Sequence, residues 1–562
     1  MKRFLSLALV LLLALGAWSA ALAEELEPVT IKVMIKGDTE RSSLDDEVGQ
    51  MIWDALKVEI QFIPYNDSQY EKAQMMLAGQ NWGDVDMVNT ALNEVTAQYI
   101  ASDAFVNLDD YRELLPNFYD NLSDLIPYWR NLDTVNGGLY VWQNGPDQIQ
   151  MTSPCLDIVV RTDVLEALGW PDLDTTDDYI EFLKKGMEMF PESNGMPTIG
   201  MSCFFGDAVG TLVSTYLPRH SGFSDVYKLS CLVDVENDAI VSKIDHPYYY
   251  ATAKFFNTLY REGILDPEAW SDGMSECQAK ATSGTPLSIW FMNWCVEAAN
   301  NAAIERGQED MQYIVTPVRL QLAKDEGRNK RYEIYTSYRA DQTWGILKTS
   351  KNIERICQLL DFMSTPEMMI RCGWGVEGVD YTVDENGVRH VTEEFAKIVS
   401  GSEAETYRWT HGIKVAYNDI FPLRSVGLYD GQSTSYDRDP EYKMQTATER
   451  QKEAYEKLGW KSNVSGWTEN ANFEFVPFDL SILQAAVALD PESEEGKIEI
   501  QIDNYLNANI PKLYTCESDE AFEAMYAEMC AKCDEMGEEQ LIAKYNEQYK
   551  GMGERIEELK AR

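Results

Sequence analysis

The stretch from Val29 to Val88 contains three segments in which apolar and polar residues alternate, VTIKVMI (29–35), VEIQFI (58–63) and the strand-like end of GDVDMV (83–88). Such alternation is typical of β-strands. Helical patterns follow the first strand, ending near Leu56, and the second strand, over Tyr70–Leu77. Strands that alternate with helices predict a parallel α/β sheet. Ligands of such sheets bind beyond the carboxyl ends of the strands, so we expect the loops after Ile35 and Val88 on the functional side.

Further elements are predicted along the rest of the chain. Thr175–Asp178 (TTDD) forms a capping box before an amphipathic helix that Pro191 ends. Asp384–Gly387 (DENG) predicts a hairpin turn, Lys324–Arg331 an exposed loop, and the last 70 or so residues are mostly helical in pattern. We find no internal repeat and no low-complexity linker, so ordered segments are expected to connect the domains.

The first residues predict a cleaved signal peptide over 1–23. Lys2 and Arg3 are positive, Phe4–Leu15 is apolar, and Ala21-Leu22-Ala23 is a small-residue cleavage site. The apolar run is short for a membrane span. No cysteine lies near the cut, so no lipid anchor is expected. These features predict an exported protein, periplasmic or extracellular at the cell surface.

Composition excludes several classes of protein. The net charge is −45, which repels nucleic-acid backbones, so no nucleic acid is expected as a partner. The ten cysteines are scattered, and only Cys530 and Cys533 are close. These two share a helical face with apolar residues, which favours core packing over a redox or zinc site. Cysteine pairing does not follow from the sequence.

The sequence carries no strong catalytic or cofactor motif. Gly373–Gly378 (GWGVEG) spells G-x-G-x-x-G, but a dinucleotide site needs a strand before it and a helix after it, and here the order is reversed. There is no G-x-S-x-G, H-E-x-x-H or Walker loop, and none of the four histidines lies within metal-ligand spacing of another. With 93 acidic residues, carboxylate pairs carry no information. We therefore expect no catalytic residue, no metal and no cofactor.

Aromatic residues are the remaining signal, since the chain has 14 Trp and 30 Tyr. Most are expected in cores, and for any one of them packing is the better interpretation. A subset lies at predicted strand ends or turns, where flat rings could stack on sugars. As a group they favour an oligosaccharide cleft. The candidate ligand-binding residues are Trp290, Trp294, Trp344, Trp374, Tyr381, Trp142, Tyr140, Asp86 and Arg161.

The order of motifs resembles the family 1 extracellular solute-binding proteins of ABC importers, in particular the large subgroup of oligosaccharide-binding lipoproteins. The motifs include GDVDMV (83–88), NGGLYVW (136–142), IVVRTDVLEALGW (158–170), LSIWFMNW (287–294), TWGILKTSKNIERICQLLDFM (343–363) and GWGVEGVDY (373–381). The likeness covers nearly all of the predicted mature chain.

The resemblance implies a two-lobed α/β fold of the type II periplasmic-binding-protein class, with a ligand cleft between lobes joined by a multi-stranded hinge. The implied lobes are 24–155 with 339–425, and 156–338 with a helical 426–562. Chain crossings are expected near 153–160, 339–344 and 422–429. Closure would be a hinge motion that the ligand biases.

The resemblance also implies a function, that of a non-catalytic monomer that binds an oligosaccharide and delivers it to ABC permease subunits. In such a cleft Trp344 and Trp374 would lie on one side. Two departures stand out. The chain lacks a lipobox cysteine, and Pro191–Pro197 (PESNGMP) has too few oxygen ligands for a calcium loop. A peptide or other small-solute binder of the same fold and a secreted carbohydrate-active enzyme remain alternatives.

Overall fold

The structure is a computed structural model of the 562-residue chain. It describes residues 26–36, 39–65, 69–90, 93–144, 158–215, 217, 221–224, 228–290, 296–335, 343–424, 432–462, 465–469, 471–472, 474–479, 482–483, 487 and 489–562. The predicted signal peptide lies outside these ranges. No helix in the described ranges is both long enough and apolar enough to cross a membrane.

The chain divides into two compact units. Unit 1 comprises residues 1–150, 336–446 and 553–562, and unit 2 comprises 151–335 and 447–552. The predicted lobes put residues 426–562 in the same lobe as 156–338. In the structure, residues 426–446 group with unit 1 instead. The last ten residues also group with unit 1, although the sequence prediction gave them to the other lobe.

Unit 1 is built on a mixed six-stranded sheet of order β2-β3-β1-β4-β16-β5. Strands β1, β3 and β4 are parallel, as the sequence predicts, and β16 runs antiparallel between β4 and β5. These strands are β1 (Val29–Lys36), β2 (Arg41–Ser42), β3 (Val58–Tyr65), β4 (Met87–Asn89), β5 (Val141–Gln143) and β16 (Thr343–Ile346).

Helices cover this sheet and close the core of unit 1. Their apolar faces bury Ile52, Leu359 and Leu360 against strand residues such as Ile31 and Ile60. The helices are α1 (Glu47–Leu56), α2 (Gln69–Gly79), α3 (Asn93–Ala101), α4 (Pro116–Asn121), α5 (Ile126–Arg130), α13 (Ile353–Met363), α14 (Pro366–Trp374), α15 (Glu393–Val399), α16 (Ala404–His411), α17 (Ala416–Ile420) and α18 (Pro440–Thr446), with 3-10 turns at Ser43–Asp45, Leu108–Leu114 and Tyr436–Arg438.

The predicted hairpin is present beside this core. Strands β17 (Tyr381–Val383) and β18 (Arg389–Val391) pair antiparallel around the Asp384–Gly387 turn. With α14, α15, α16 and α18 they enclose a second apolar cluster that includes Trp374, Tyr381 and Phe395.

Unit 2 contains a four-stranded sheet of order β14-β6-β13-β9 and smaller pieces. In the four-stranded sheet β13 is parallel to β9, and β6 is antiparallel to both β13 and β14. The strands of unit 2 are β6 (Ile158–Arg161), β7 (Glu192–Ser193), β8 (Met196–Pro197), β9 (Ile199–Ser202), β10 (Phe223–Ser224), β11 (Cys231–Asp234), β12 (Ala239–Ser242), β13 (Pro286–Trp290), β14 (Tyr313–Thr316), β15 (Lys330–Tyr335) and β19 (Glu474–Asp479).

The helices of unit 2 include the predicted capped helix and the helical end of the chain. Thr175 and Asp178 form the capping box at the start of α7. The helices are α6 (Thr162–Ala167), α7 (Thr176–Met189), α8 (Ala208–Val213), α9 (Pro247–Arg261), α10 (Met274–Ser283), α11 (Val296–Glu305), α12 (Gln321–Asp325), α19 (Glu449–Lys457), α20 (Ser465–Thr468), α21 (Glu494–Tyr514), α22 (Asp519–Met536) and α23 (Glu538–Lys560), with a 3-10 turn at Glu309–Met311. Of α23, the residues up to 552 belong to unit 2.

Three local predictions have clear outcomes. Cys533 is buried and Cys530 half-buried on α22, so their predicted packing role is confirmed. The exposed loop predicted at 324–331 is wrong in part, because Lys330 and Arg331 begin β15, which pairs with the distant β19. The segment after Pro191 is a tight hairpin, β7–β8, whose turn residues Asn194 and Gly195 both have positive φ.

Candidate functional site

The carboxyl ends of the parallel strands of unit 1 meet at one edge of the sheet. Strands β1, β3 and β4 end at Lys36, Tyr65 and Asn89. A small cavity lies at this edge, and Tyr65 and Asn89 in its lining are almost fully buried. The cavity measures about 10 Å³, room for about one water molecule, so the candidate site is the edge around it, where ligands of such sheets bind. The cavity is lined by Met34, Tyr65, Lys72, Ala73, Met76, Val88 and Asn89.

One row of side chains connects this edge to two of the predicted tryptophans. Trp344 on β16 is opposite Asn89 on β4 and opposite Trp142 on β5. Residues directly opposite in antiparallel strands point to the same face of a sheet. The structure therefore brings Trp142 and Trp344 together, next to Asn89. Sequence reasoning missed Asn89 and Tyr65, although each is the last residue of a parallel strand.

Both tryptophans of this row are buried in the unit 1 core. Trp142 is 0% and Trp344 is 1% exposed. The Trp142 indole donates a hydrogen bond to the Ile420 carbonyl, and the Trp344 indole donates to the Asp419 carbonyl, both at 2.7 Å. A ring that stacks on a sugar must present one face to it. Here both rings pack within the protein, and their predicted ligand contacts stay a prediction.

Trp374 and Tyr381 form a second pair, in the other apolar cluster of unit 1. Their rings meet edge to face with centroids 5.7 Å apart. The Trp374 indole donates to the Ser433 carbonyl at 2.8 Å, and the Arg389 guanidinium lies 5.4 Å from the Trp374 ring centroid. Trp344 and Trp374 thus belong to different apolar clusters.

The glycine motif that ends α14 has structural reasons for its glycines. A Cβ on Gly373 would lie 1.7 Å from the Thr434 carbonyl oxygen, so only glycine fits there. Gly375 and Gly378 have φ of +89° and +83°, a region that favours glycine. The motif follows a helix and precedes the β17–β18 hairpin, which is the reverse of a dinucleotide-binding turn.

Asp86 and Tyr140 are the half-buried members of the predicted set in unit 1. Asp86 accepts hydrogen bonds from the Lys32 backbone N–H at 2.8 Å and from the Ser350 hydroxyl at 2.5 Å. It therefore joins β1 to the turn after β16. Burial, with the nearby charge of Asp133, raises the pKa of Tyr140.

The predicted residues of unit 2 lie within its own packing. Trp290, at the end of β13, is 3% exposed and meets the Phe256 ring edge to face at 5.4 Å. Arg161 is 1% exposed; its guanidinium donates to both carboxylate oxygens of Asp163, to the Ser193 hydroxyl at 2.8 Å and to the Gly284 carbonyl at 2.9 Å. Trp294 lies outside the described residues.

A cluster of three carboxylates stands near the end of β9. Asp266, Glu268 and Asp272 could in principle hold a cation, and within the described part of the chain they are the one such group. The Lys280 ammonium already lies among them, at 2.8, 2.8 and 2.6 Å. Burial of the ammonium opposes protonation, but the hydrogen bonds that it donates to these carboxylates raise the pKa of Lys280 overall. This internal cation fills the place that a metal would take.

The buried cysteines are poor nucleophiles. Burial raises the pKa of Cys231, Cys357 and Cys372 to about 12 in each case. Such thiols are protonated at neutral pH and do not attack substrates.

Comparison with known proteins is consistent with this fold. Residues 39–370 match the family model for bacterial extracellular solute-binding protein. Lipoprotein LipO of Bacillus subtilis is 24% identical over 347 residues, which cover 58% of this chain and 62% of that lipoprotein, less than two thirds of its length.

Two solved structures share the fold over nearly their whole length. An HMO binding, ABC-transporter associated solute binding protein from Bifidobacterium longum infantis aligns with a TM-score of 0.61 at 14% identity, covering 93% of this chain and 98% of that one. The substrate binding protein FusA of S. pneumoniae, an EF-hand mutant in complex with fructo-nystose, aligns with a TM-score of 0.61 at 14% identity. The alignment covers 93% of this chain and 99% of that one. Because the family model matches more than half of the chain, this protein belongs to the bacterial extracellular solute-binding proteins.

Proposed function

We propose that this protein is an exported, non-catalytic binding protein that captures an oligosaccharide and delivers it to the permease of an ABC importer. The observation that carries the proposal is the family match over residues 39–370. The two neighbouring structures support the choice of ligand class, since one is described as HMO binding and the other holds fructo-nystose. The predicted signal peptide supports export.

We further propose that the carboxyl edge of unit 1 around this small cavity supplies ligand contacts. Lys72 is half-buried there and Asn89 supplies an amide, groups that bind sugar hydroxyls. Trp344 lies opposite Asn89 in this row, and Trp142 lies opposite Trp344 on its other side. In this proposal the two tryptophans position the cavity, and a direct contact with sugar would require an exposed ring.

The test is a ligand screen on the purified chain without residues 1–23. A ligand that binds only the folded state stabilises it, by about 2.7 kcal/mol at a hundredfold excess over Kd. We expect a fructo- or milk-type oligosaccharide to raise the melting temperature and peptides to leave it unchanged. Tight binding of peptides with no response to any sugar would contradict the proposal.

Two further arms separate the remaining alternatives. Mass spectrometry after prolonged incubation should recover the bound oligosaccharide intact, whereas cleavage would identify a carbohydrate-active enzyme. Asn89→Ala should weaken sugar binding, and Lys351→Ala, an exposed residue outside the cavity, should not. If both variants bind like the wild type, the cavity is not the site even when the sugar binds.

A further inference from the structure

Unit 2 has a groove of about 440 Å³ beside the capped helix α7. It runs between the first turn of α7, one face of α9 and residues 320–322 before and within α12. The volume is in the range of sites that bind small molecules or a few side chains. Nothing in the unit 1 cavity or in the carboxylate cluster around Lys280 overlaps this groove.

The groove is apolar at its base. Phe255 and Leu320 are 4% and 1% exposed and form the floor, while Ile180, Ala251 and Leu322 are half-buried along the walls. Half-buried aliphatic side chains that line a concave surface gain free energy when a second apolar surface covers them. The groove therefore favours an apolar occupant.

One end of the groove is negative. Asp177 is exposed at the rim, and Asp178 and Asp325 are its charged neighbours. Partial desolvation, and then the charges of these two carboxylates, raise the pKa of Asp177. In the described part of the chain the charged groups that act on Asp177 are both carboxylates. The charge at this end is thus unbalanced.

The cations near the groove are engaged elsewhere. The Lys254 ammonium, on the α9 wall, binds Asp519 at 2.7 Å. Lys324, two residues after Leu322 on α12, binds Asp174 at 3.0 Å. Neither ammonium neutralises Asp177, so the free cation that fits this end would have to come with the occupant.

We propose that this groove is a docking site for a peptide segment of a partner protein, with apolar side chains on the floor and an adjacent arginine or lysine at Asp177. The charge complementarity selects a basic segment, and the apolar floor gives it a contact that salt does not screen. This inference is independent of the solute that the protein binds. A purely structural role for Asp177, favourable interaction with the N-terminus of α7, would give stability without binding.

The probe is a capped synthetic peptide of leucines around one arginine, compared with the same peptide carrying glutamate in place of arginine. Titration of the whole mature chain by calorimetry should show saturable binding of the arginine peptide and much weaker binding of the glutamate peptide. Asp177→Asn should raise the Kd for the arginine peptide about threefold, as expected for the loss of one exposed ion pair. Asp177→Lys should reverse the preference between the two peptides.

A second variant blocks the groove. Ala251→Trp should fill it and abolish binding, while Ala279→Trp, at an exposed position of α10, should bind like the wild type. Glu188→Lys, at the exposed far end of α7, is the matched charge control. Since Asp177 is exposed, its variants test the proposal even if Ala251→Trp does not fold.

Three results would overturn the docking site. Equal binding of the two peptides would show that Asp177 selects nothing. Unchanged binding by both Ala251→Trp and Asp177→Lys would place the peptide elsewhere. Tighter binding of octylammonium than of the arginine peptide would make the occupant a small amphiphile and not a protein segment.

Discussion

Trp142 and Trp344 are opposite each other on β5 and β16, and their indole groups donate to the consecutive carbonyls of Ile420 and Asp419. The Asn144 side-chain amide adds a hydrogen bond to the preceding carbonyl, that of Asn418, at 3.2 Å. The last carbonyls of a helix have no partner within the helix. Three side chains, from β16, from β5 and from the residue after β5, therefore satisfy the carboxyl end of α17, and this explains why the two rings are buried.

Replacing Trp344 by phenylalanine should destabilise unit 1 through one lost hydrogen bond and through the space left by the smaller ring. The variant keeps an aromatic ring but leaves the Asp419 carbonyl without its donor, which should lower the free energy of unfolding by about 1–3 kcal/mol. Urea unfolding followed by tryptophan fluorescence measures the change. Trp409→Phe is the control, because Trp409 is half-buried and packs on Phe62 and Arg41.

The same variant separates packing from ligand stacking. If Trp344 only supports the site, Trp344→Phe loses stability while the affinity for a bound sugar changes little. A large loss of affinity without loss of stability would show instead that the ring touches the ligand. Trp344→Ala cannot make this distinction, since removing a fully buried Trp costs about 3–5 kcal/mol by itself.

Gly373 should tolerate no side chain. Its Cβ would meet the Thr434 carbonyl oxygen at 1.7 Å, so Gly373→Ala must shift the backbone and should destabilise unit 1 by about 3 kcal/mol. Gly553→Ala is the matched control, because this helical glycine has open space around it. Alanine there should raise the free energy of unfolding by about 0.5–1 kcal/mol. Thermal melts of both variants give the comparison. A Gly373→Ala protein as stable as the wild type would contradict the packing at Thr434.

The contrast between these positions shows what the sequence could and could not predict. The alternation of apolar and polar residues predicted β1, β3 and β4, and the TTDD pattern predicted the start of α7, because both signals are local. The position of β16 between β4 and β5, and the pairing of β15 with β19, depend on contacts between distant segments that no local pattern encodes.

The candidate site shows the same limit. Trp344 and Trp374 look like exposed rings at the ends of elements, yet their N–H partners are Asp419 and Ser433, which lie far along the chain. An aromatic residue at a strand end is thus equally compatible with a ligand and with a carbonyl that needs a donor. Asn89 could have been found, because the end of a parallel strand is a signal visible in the sequence.

Stability should depend on pH through Glu538 at the start of α23. This carboxyl is 3% exposed and accepts a hydrogen bond from Ser242 at 2.7 Å. Burial raises its pKa to about 7, with the nearby charges of Asp245 and Asp534 acting in the same direction. A carboxyl whose pKa is raised on folding binds its proton more tightly in the folded state.

The sign follows from this difference. Between the unfolded pKa of 4.5 and the folded value of about 7, the folded state holds more protons, so Glu538 makes the protein less stable as the pH rises through this window. We expect Glu538→Gln to be more stable than the wild type at pH 8, by about 3 kcal/mol at most, and to show no advantage near pH 4. Urea unfolding at several pH values measures this; a difference that does not change with pH would contradict the buried charge.

Lys280 should be essential to the carboxylate cluster of unit 2. Its side chain is 18% exposed and that of Asp266 is 1% exposed, so Lys280→Met would leave buried negative charge without a partner and cost about 3–5 kcal/mol near neutral pH. Lys184→Met, which breaks a pair with Glu262 that is nearly half exposed on both sides, should cost below about 1 kcal/mol. The loss of stability in Lys280→Met should shrink toward pH 5 as carboxylates take up protons.

Calcium should raise the melting temperature of Lys280→Met and leave the wild type unchanged, because the ammonium already occupies the centre of the cluster. A wild-type protein that melts earlier after chelation would show that a metal, and not Lys280, balances these carboxylates.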